Sequence, residues 1–366
     1  MIISGRLVRG AGAAGGWVEV QGGRIAQAGV GDPPRPADVR HDGPIAPGFV
    51  DLQVNGGAGV EVVDGPEAIE RVDARQLRHG VTSYLPTIIT TDDASAERAL
   101  DQLAERAADP ASPVVGVHLE GPFLSPQHRG VHRAELLRAP ADGVPDYYQH
   151  PAVRLVTLAP ELPGALTLIE RLVGRGVTVS LGHTGADAAT AERAADCGAT
   201  LVTHLFNAMS PFHHRAPGLV GWALVSDRVD PCVVADELHV APLALELIRR
   251  AAGERVILVT DSSVAAGADQ GEYLQAGVRI RMQPDGRAVN RQGTLAGSAI
   301  GLDAAVRNWA GSAGAGWPPA IAAASVRPAK AIGLVAGLES GDPADLVLLD
   351  EAGLVVRVMR RGEWCA

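Results

Sequence analysis

The chain has 366 residues, 46% of them hydrophobic and 20% charged, with a formal net charge of −10. An acidic balance without any Lys/Arg-rich run excludes nucleic acid as the main partner, while the length suits one large barrel plus an appendage. The N-terminus "MIISGRLVRGAG" has no basic n-region followed by a long apolar core, and no apolar run is long enough to cross a bilayer; no leader, no membrane partner and a cytoplasmic location are therefore expected.

In chain order, "WVEVQGGRIAQAGV" reads as a β-hairpin turning at Gly22 and Gly23. From Ile45 to about Asp261, short Val/Ile/Leu-rich segments alternate with Ala/Glu/Arg-rich helical ones. The strand candidates are "IAPGFVDLQVN", "GVTSYLPTII", "VVGVHLEG", "VRLVTLAP", "GVTVSLGHT", "ATLVTHLFN", "CVVADELH" and "RVILVTDSS". This alternation predicts parallel strands with right-handed crossovers, and about eight units close a TIM-type (β/α)8 barrel. An open doubly wound sheet is the competing arrangement. Helical sequence returns in "AAVRNWAGSAG" and "AIAAASVRPAKAIGL", and "ADLVLLDEAGLVVRVMRRGEW" reads as paired strands turning near Gly353. Residues 1–45 and 339–366 are expected to meet in one small β-sandwich domain beside a catalytic barrel of residues 46–338. The three cysteines form no CxxC pair, so no disulfide framework or Cys-type zinc site is suggested; Cys197 and Cys232 are expected as small buried hydrophobes.

Reactive groups of such a barrel gather at the C-terminal ends of its strands. There the sequence places Glu120 after the third strand, His183 after the fifth, His204 after the sixth, His239 beyond the seventh and Asp261 after the eighth. Singly, a histidine there is more often a hydrogen-bonded structural group, and an aspartate a helix cap. Together, Glu–His–His is a catalytic zinc set that leaves one position open for water, and Asp261 would serve as general base and acid beside it.

At these residues the chain resembles the amidohydrolase superfamily, and within it the N-acetylglucosamine-6-phosphate deacetylase family. The resemblance is carried in order by "APGFVDLQVNGGAGVE", "GVHLEGPFLSPQHRGVH", "VTLAPE", "SLGHTGA", "THLFNAMSPFHHRAPGLVG", "ADELHV", "LVTDSSVAAG" and "GTLAGSA", from Ala46 to Ala299. It implies hydrolytic deacetylation of a phosphorylated amino sugar. Glu120, His183 and His204 match the ligands of one divalent metal ion per chain, with zinc the first expectation and Fe2+, Co2+ or Mn2+ able to use the same donors. Asp261 matches the catalytic acid/base, and His132 a group polarising the acetyl carbonyl. Asn207, Ala208, His239, Leu295 and Ala296 match substrate contacts, Arg215 a phosphate ligand, and His214 its neighbour. The loop His213–Arg215 is implied to reach the neighbouring site of a homodimer.

One departure bears on the metal count. Strand alternation puts Asp51, Gln53 and Asn55 on one face, and Gln53 and Asn55 stand where binuclear superfamily members carry two histidines. The chain's one lysine, Lys330, lies far from the fourth strand, where those members carry a carboxylated lysine bridge. Amides are poor ligands for a transition metal, so a single bound ion is expected, with Gln53 and Asn55 as hydrogen-bonding groups beside it. His118 is expected to be buried and hydrogen-bonded, not a ligand. Asp51 is expected to be structural, His128 solvated, and Asp236 either a partner of His239 or of a barrel arginine.

Overall fold

The computed structural model describes residues 1–10 and 12–366. Its larger sheet contains eight parallel strands paired in chain order: β1 (Phe49–Val54), β2 (Val81–Ile89), β3 (Val117–Glu120), β4 (Val153–Leu158), β5 (Thr178–Leu181), β6 (Leu201–Val202), β7 (Asp230–Val233) and β8 (Ile257–Leu258). A parallel bridge between Val54 and Ser262 closes the ring, and the Asn55 and Gly56 N–H groups both donate to Ser262 O, at 2.9 and 3.1 Å. This is the expected (β/α)8 barrel. Its strands are apolar on both faces because both are covered: Val50, Leu52, Leu85, Leu155, Leu201, Val234 and Ile257 fill the interior, while residues such as Val156, Val179, Val202 and Leu258 pack outward against the helices.

The helices begin where local chemistry favours them. Helix α1 (Pro66–Arg78) opens with proline in its first turn. Asp92 caps α2 (Asp93–Ala108), its carboxylate accepting the Ser95 N–H at 2.9 Å.

Barrel closure also rests on one buried carboxylate. Asp51 accepts hydrogen bonds from Thr260 Oγ1 at 2.6 Å, Thr260 N at 3.2 Å and Gln53 N at 3.3 Å, tying β1 to the end of β8. The expected common face of Asp51, Gln53 and Asn55 does not hold. Val50 and Leu52 point into the barrel, so Asp51 points away from it. The β1–β2 pairing then shifts register between Asp51 and Val54, and this irregularity turns Gln53 and Asn55 to the mouth. Thr260→Val, which leaves Asp51 short of a donor, is expected to lower stability by about 1–3 kcal/mol in urea unfolding of the metal-loaded protein. An unchanged midpoint would show that closure does not depend on this bond.

Both termini join a second, seven-stranded sheet made of Ile2–Arg9, Gly12–Gln21, Arg24–Val30, Val39–Pro47, Leu346–Leu349, Val355–Arg360 and Glu363–Trp364. It curls over its own core of Ile3, Leu7, Val18, Ile25, Ile45, Leu346, Leu348 and Met359. Ile25 exchanges backbone hydrogen bonds with Gly341 and Asp342 across the curl, at 2.8 and 2.9 Å. This is the sandwich-like domain expected from the two ends.

Two features differ from expectation. Residues 272–290, after β8, form a three-stranded antiparallel flap (Glu272–Gln275, Val278–Met282, Ala288–Asn290) where no strand was expected. Cys232 is buried in β7 as expected, but Cys197 is half-buried because it ends the helix Ala188–Asp196 instead of lying on its inner face.

Candidate active site and metal centre

A cavity of about 310 Å³ opens at the C-terminal ends of the barrel strands. Among the groups lining it are Asn55, Glu120, His132, His183, His204, Asn207, Ala208, His239, Asp261 and Leu295. Three residues that end strands turn into it through backbone conformations that side chains rarely adopt: His183 (φ 49°), His204 (φ 28°) and Asp261 (φ 49°). Left-handed non-glycine residues cost about 1–3 kcal/mol each and persist where the surrounding structure holds them. Their concentration here marks the mouth as a site built for geometry at the expense of local stability.

Glu120 Oε1, His183 Nε2 and His204 Nε2 lie 3.1 Å from one another in all three pairings. Tetrahedral donors with bonds of about 2.0–2.1 Å stand roughly 3.3 Å apart, so the triangle fits a single small cation. The His183 tautomer agrees. His183 Nδ1 lies 2.9 Å from the His128 carbonyl oxygen, which can only accept; the ring proton therefore sits on Nδ1, and Nε2 presents its lone pair. Converging lone pairs are unfavourable until a cation occupies their focus. When the cation is absent, a protonated His204 can donate to the Glu120 carboxylate, which stays ionised. Burial pushes Glu120 up, but the hydrogen bonds from His183 and His204 outweigh it and hold the acid well below its usual range. Burial likewise pulls His204 down, and the Glu120 carboxylate more than reverses this.

His132 belongs to the same cluster, since Glu120, His132 and His183 also offer ligand-type atoms within 4.8 Å of one another. Hydrogen bonding distinguishes it. The Thr90 N–H points at His132 Nδ1 at 3.4 Å and Thr90 Oγ1 lies 2.8 Å from it, so Nδ1 accepts and Nε2 carries the proton. His132 Nε2, 3.8 Å from Glu120 Oε2, is thus a donor facing the cavity. Burial first, and then the charge of His183, push its pKa down to about 3, which keeps the ring neutral.

Asp261 is held by Asn55 Nδ2, which donates to its Oδ1 at 2.8 Å. Burial first and the Glu120 charge second push Asp261 up to about 7. Gln53 Nε2 donates to Glu120 Oε1 at 3.0 Å, so the two amides of β1 brace the two carboxylates of the site. Asn55 Oδ1 is buried and has no partner among the described residues. His118 is not at the cavity: its Nδ1 faces Leu52 O at 3.1 Å and its Nε2 faces Thr157 Oγ1 at 2.8 Å. Thr157 and Ser180 both meet Thr203 Oγ1, at 2.7 and 2.5 Å, completing a hydroxyl layer inside the barrel. Asp236 pairs with His239 at 2.6 Å and not with a barrel arginine.

The other expected contacts divide. Asn207, Ala208 and Leu295 line the cavity, whereas Ala296 is wholly buried behind it. His214 and Arg215 are exposed on the loop after β6, bonded to each other at 3.0 Å, and do not line the cavity of their own chain. Groups not assigned to the site from the sequence complete it: Thr90 and the backbone carbonyl of His128 orient two of the imidazoles, while Gln275 and Thr294 close the cavity from the flap side. His128, expected to be solvated, is half-buried, its Nε2 3.5 Å from Ser210 Oγ. The flap tip is pinned by Glu61, whose two carboxylate oxygens each lie 2.9 Å from Ala276 N. Thr90 follows a predicted strand directly and was legible as a strand-end polar residue; the backbone carbonyl left no residue-type signal.

Residues 45–365 match the amidohydrolase family. The chain belongs to the amidohydrolase family. This amidohydrolase is 40% identical over 326 residues to the N-acetylglucosamine-6-phosphate deacetylase of Danio rerio, covering 84% of this chain and 80% of that one. It is 37% identical over 329 residues to the N-acetylgalactosamine-6-phosphate deacetylase of Escherichia coli O157:H7, covering 87% of both. Its fold superposes with a TM-score of 0.95 and 34% identity on N-acetyl-D-glucosamine-6-phosphate deacetylase from Mycobacterium smegmatis, solved as a mutant in complex with N-acetyl-D-glucosamine-6-phosphate, over 100% of this chain and 99% of that one. The resemblance read from the sequence motifs therefore holds over nearly the whole molecule. The amidohydrolase is a hydrolytic enzyme of a metal-dependent family, and no helix among its described residues is long and apolar enough to cross a membrane.

Proposed function

We propose that this amidohydrolase removes the acetyl group of N-acetylglucosamine 6-phosphate, giving glucosamine 6-phosphate and acetate. The observation that carries the reading is the 3.1 Å triangle of Glu120, His183 and His204 with Asp261 on the same cavity wall. One divalent cation, zinc by preference for two imidazoles and a carboxylate, would be held by those three residues. When bound, it supplies an acidified water and polarises the acyl oxygen.

The protein's own groups carry the proton and position the amide. Asp261, with Oδ1 held by Asn55, takes a proton from the attacking water and returns it to the departing amine nitrogen. The His132 Nε2–H donates to the acyl oxygen as negative charge builds there. His239, held by Asp236, and Asn207 orient the sugar.

Arg215 and His214 stand outside the cavity of their own chain, and we assign them to the phosphate bound in the neighbouring cavity of a homodimer. A guanidinium fork matches a phosphate monoester. Arg215→Gln is expected to raise KM for the phosphorylated sugar about 10- to 100-fold with a smaller effect on kcat, read from steady-state acetate release. Equal turnover of unphosphorylated N-acetylglucosamine would remove Arg215 from that role. The relative acting on N-acetylgalactosamine 6-phosphate makes the other epimer the second reading, and comparing kcat/KM for the two phosphorylated sugars decides between them. A substrate with this charge does not cross an apolar bilayer unaided, so the reading places the reaction in the cytoplasm.

A further inference from the structure

Beside the reaction cavity lies a second one, of about 290 Å³, which the steps above do not use. The ends of β1 and β2 form its floor. One wall is the face of α2 carrying Ser95, Arg98 and Ala99, spaced so that they line up along the helix. Arg133 and the flap tip, Ala276 and Gly277, form the opposite wall. Asn55 and Ile89 line both cavities, so the two share a partition.

In the deacetylase reading, the partition lies on the acyl side of the amide. The sugar contacts Asn207, Ala208 and His239 belong to the loops after β6 and β7, whereas Asn55 and Ile89 end β1 and β2, elsewhere around the ring. An amide held at the Glu120 triangle with its sugar toward β6 and β7 therefore directs its methyl group away from them, toward β1 and β2. Beyond the partition the chemistry is cationic. Arg98 is exposed at the cavity rim and donates to Ser95 Oγ at 2.9 Å; it forms no ion pair among the described residues, although its charge also acts on Asp92, which Ser95 Oγ bonds at 2.8 Å. Among the described residues Arg133 is paired only with Glu135, at 2.8 Å, through side chains 42% and 63% exposed, and such a rim pair competes weakly with a bound anion. The carboxylate of the lining, Glu61, is turned to the flap, where Ala276 N–H occupies it. Burial also pushes Glu61 up to about 7, which reduces its repulsion of an anion.

We propose that this second cavity receives the acetate released by hydrolysis, as a small-carboxylate site in which Arg98 and Arg133 hold the anion while the amine product still occupies the first. This assignment rests on the deacetylase reading. In that reaction the amide C–N bond breaks and the water oxygen forms the new C–O bond; one water proton goes to the departing nitrogen and the other to the free amine or to solvent, so the acyl fragment leaves as a carboxylate. Two guanidinium groups in a half-enclosed space attract it more strongly than bulk water allows, and the volume holds acetate together with bridging waters.

The test uses metal-loaded enzyme saturated with glucosamine 6-phosphate and titrated with [13C]acetate, followed by NMR. Saturable acetate binding is expected in the wild type and about tenfold weaker binding in Arg98→Gln and Arg133→Gln, with initial-rate kcat and KM close to wild type. Arg98→Lys, which keeps the charge, should retain most of the binding and guards against a folding defect. Equal acetate affinity in the wild type and both glutamine variants overturns the assignment, as does the absence of saturable binding in the wild type. Turnover of N-acetylglucosamine 6-phosphate is measured separately. If that fails, the deacetylase reading falls, while the acetate titration still reports on the cavity.

Discussion

Asp261→Asn is expected to lower kcat for acetate release by about 10³- to 10⁴-fold, at the upper end of what a positioned acid/base supplies, because the same carboxylate serves both proton transfers. The substitution keeps size and shape, so the Asn55 Nδ2 donor at 2.8 Å still has an oxygen to meet. Metal content and thermal unfolding should therefore match the wild type while the rate collapses. Since Asp261 lies outside the Glu120 triangle, a variant that loses metal along with activity would instead make this residue a ligand. An unchanged rate with intact metal would remove it from the mechanism.

Glu120→Gln is expected to abolish turnover, by at least on the order of 10⁴-fold, because it removes the one anionic donor among three and with it the acidified water. The same loss should follow exhaustive chelation of the wild type and be restored by adding back zinc. Each ring nitrogen of the triangle lies 3.1 Å from the other and from Glu120 Oε1, so releasing the cation leaves lone pairs facing one another. The chelated wild type should accordingly unfold at a lower temperature, by an amount that grows with the free metal concentration to which the loaded form is compared. Metal analysis of the freshly purified wild type should give about one ion per chain. Two firmly bound ions would contradict the bracing role of Gln53 and Asn55, whose amides hold Glu120 and Asp261 at 3.0 and 2.8 Å. Deacetylation that persists in fully chelated enzyme would end the metal-dependent account.

Much of this was legible in the chain because it depends on local pattern. Eight apolar runs ending in polar residues predicted eight strands, and the polar ends of the third, fifth, sixth and eighth placed Glu120, His183, His204 and Asp261 on one rim before any coordinates. That inference works because a parallel sheet with right-handed crossovers brings all strand C-termini to the same side. The hairpin at Gly22–Gly23 and the pairing of both termini were likewise visible, since two-residue periodicity survives in sequence. The middle strand of the flap, "VRIRM", shows the same clean alternation in the sequence.

What the sequence by itself determined is which donors exist, at which strand ends, and that the amides at 53 and 55 make poor ligands. Only the tertiary structure decided how those groups face one another. A register shift within β1 separated Asp51 from Gln53 and Asn55. A Thr90 N–H made His132 a donor, while the His128 carbonyl made His183 an acceptor. Tautomer and facing are set by partners distant along the chain, through hydrogen bonds that residue type alone does not encode.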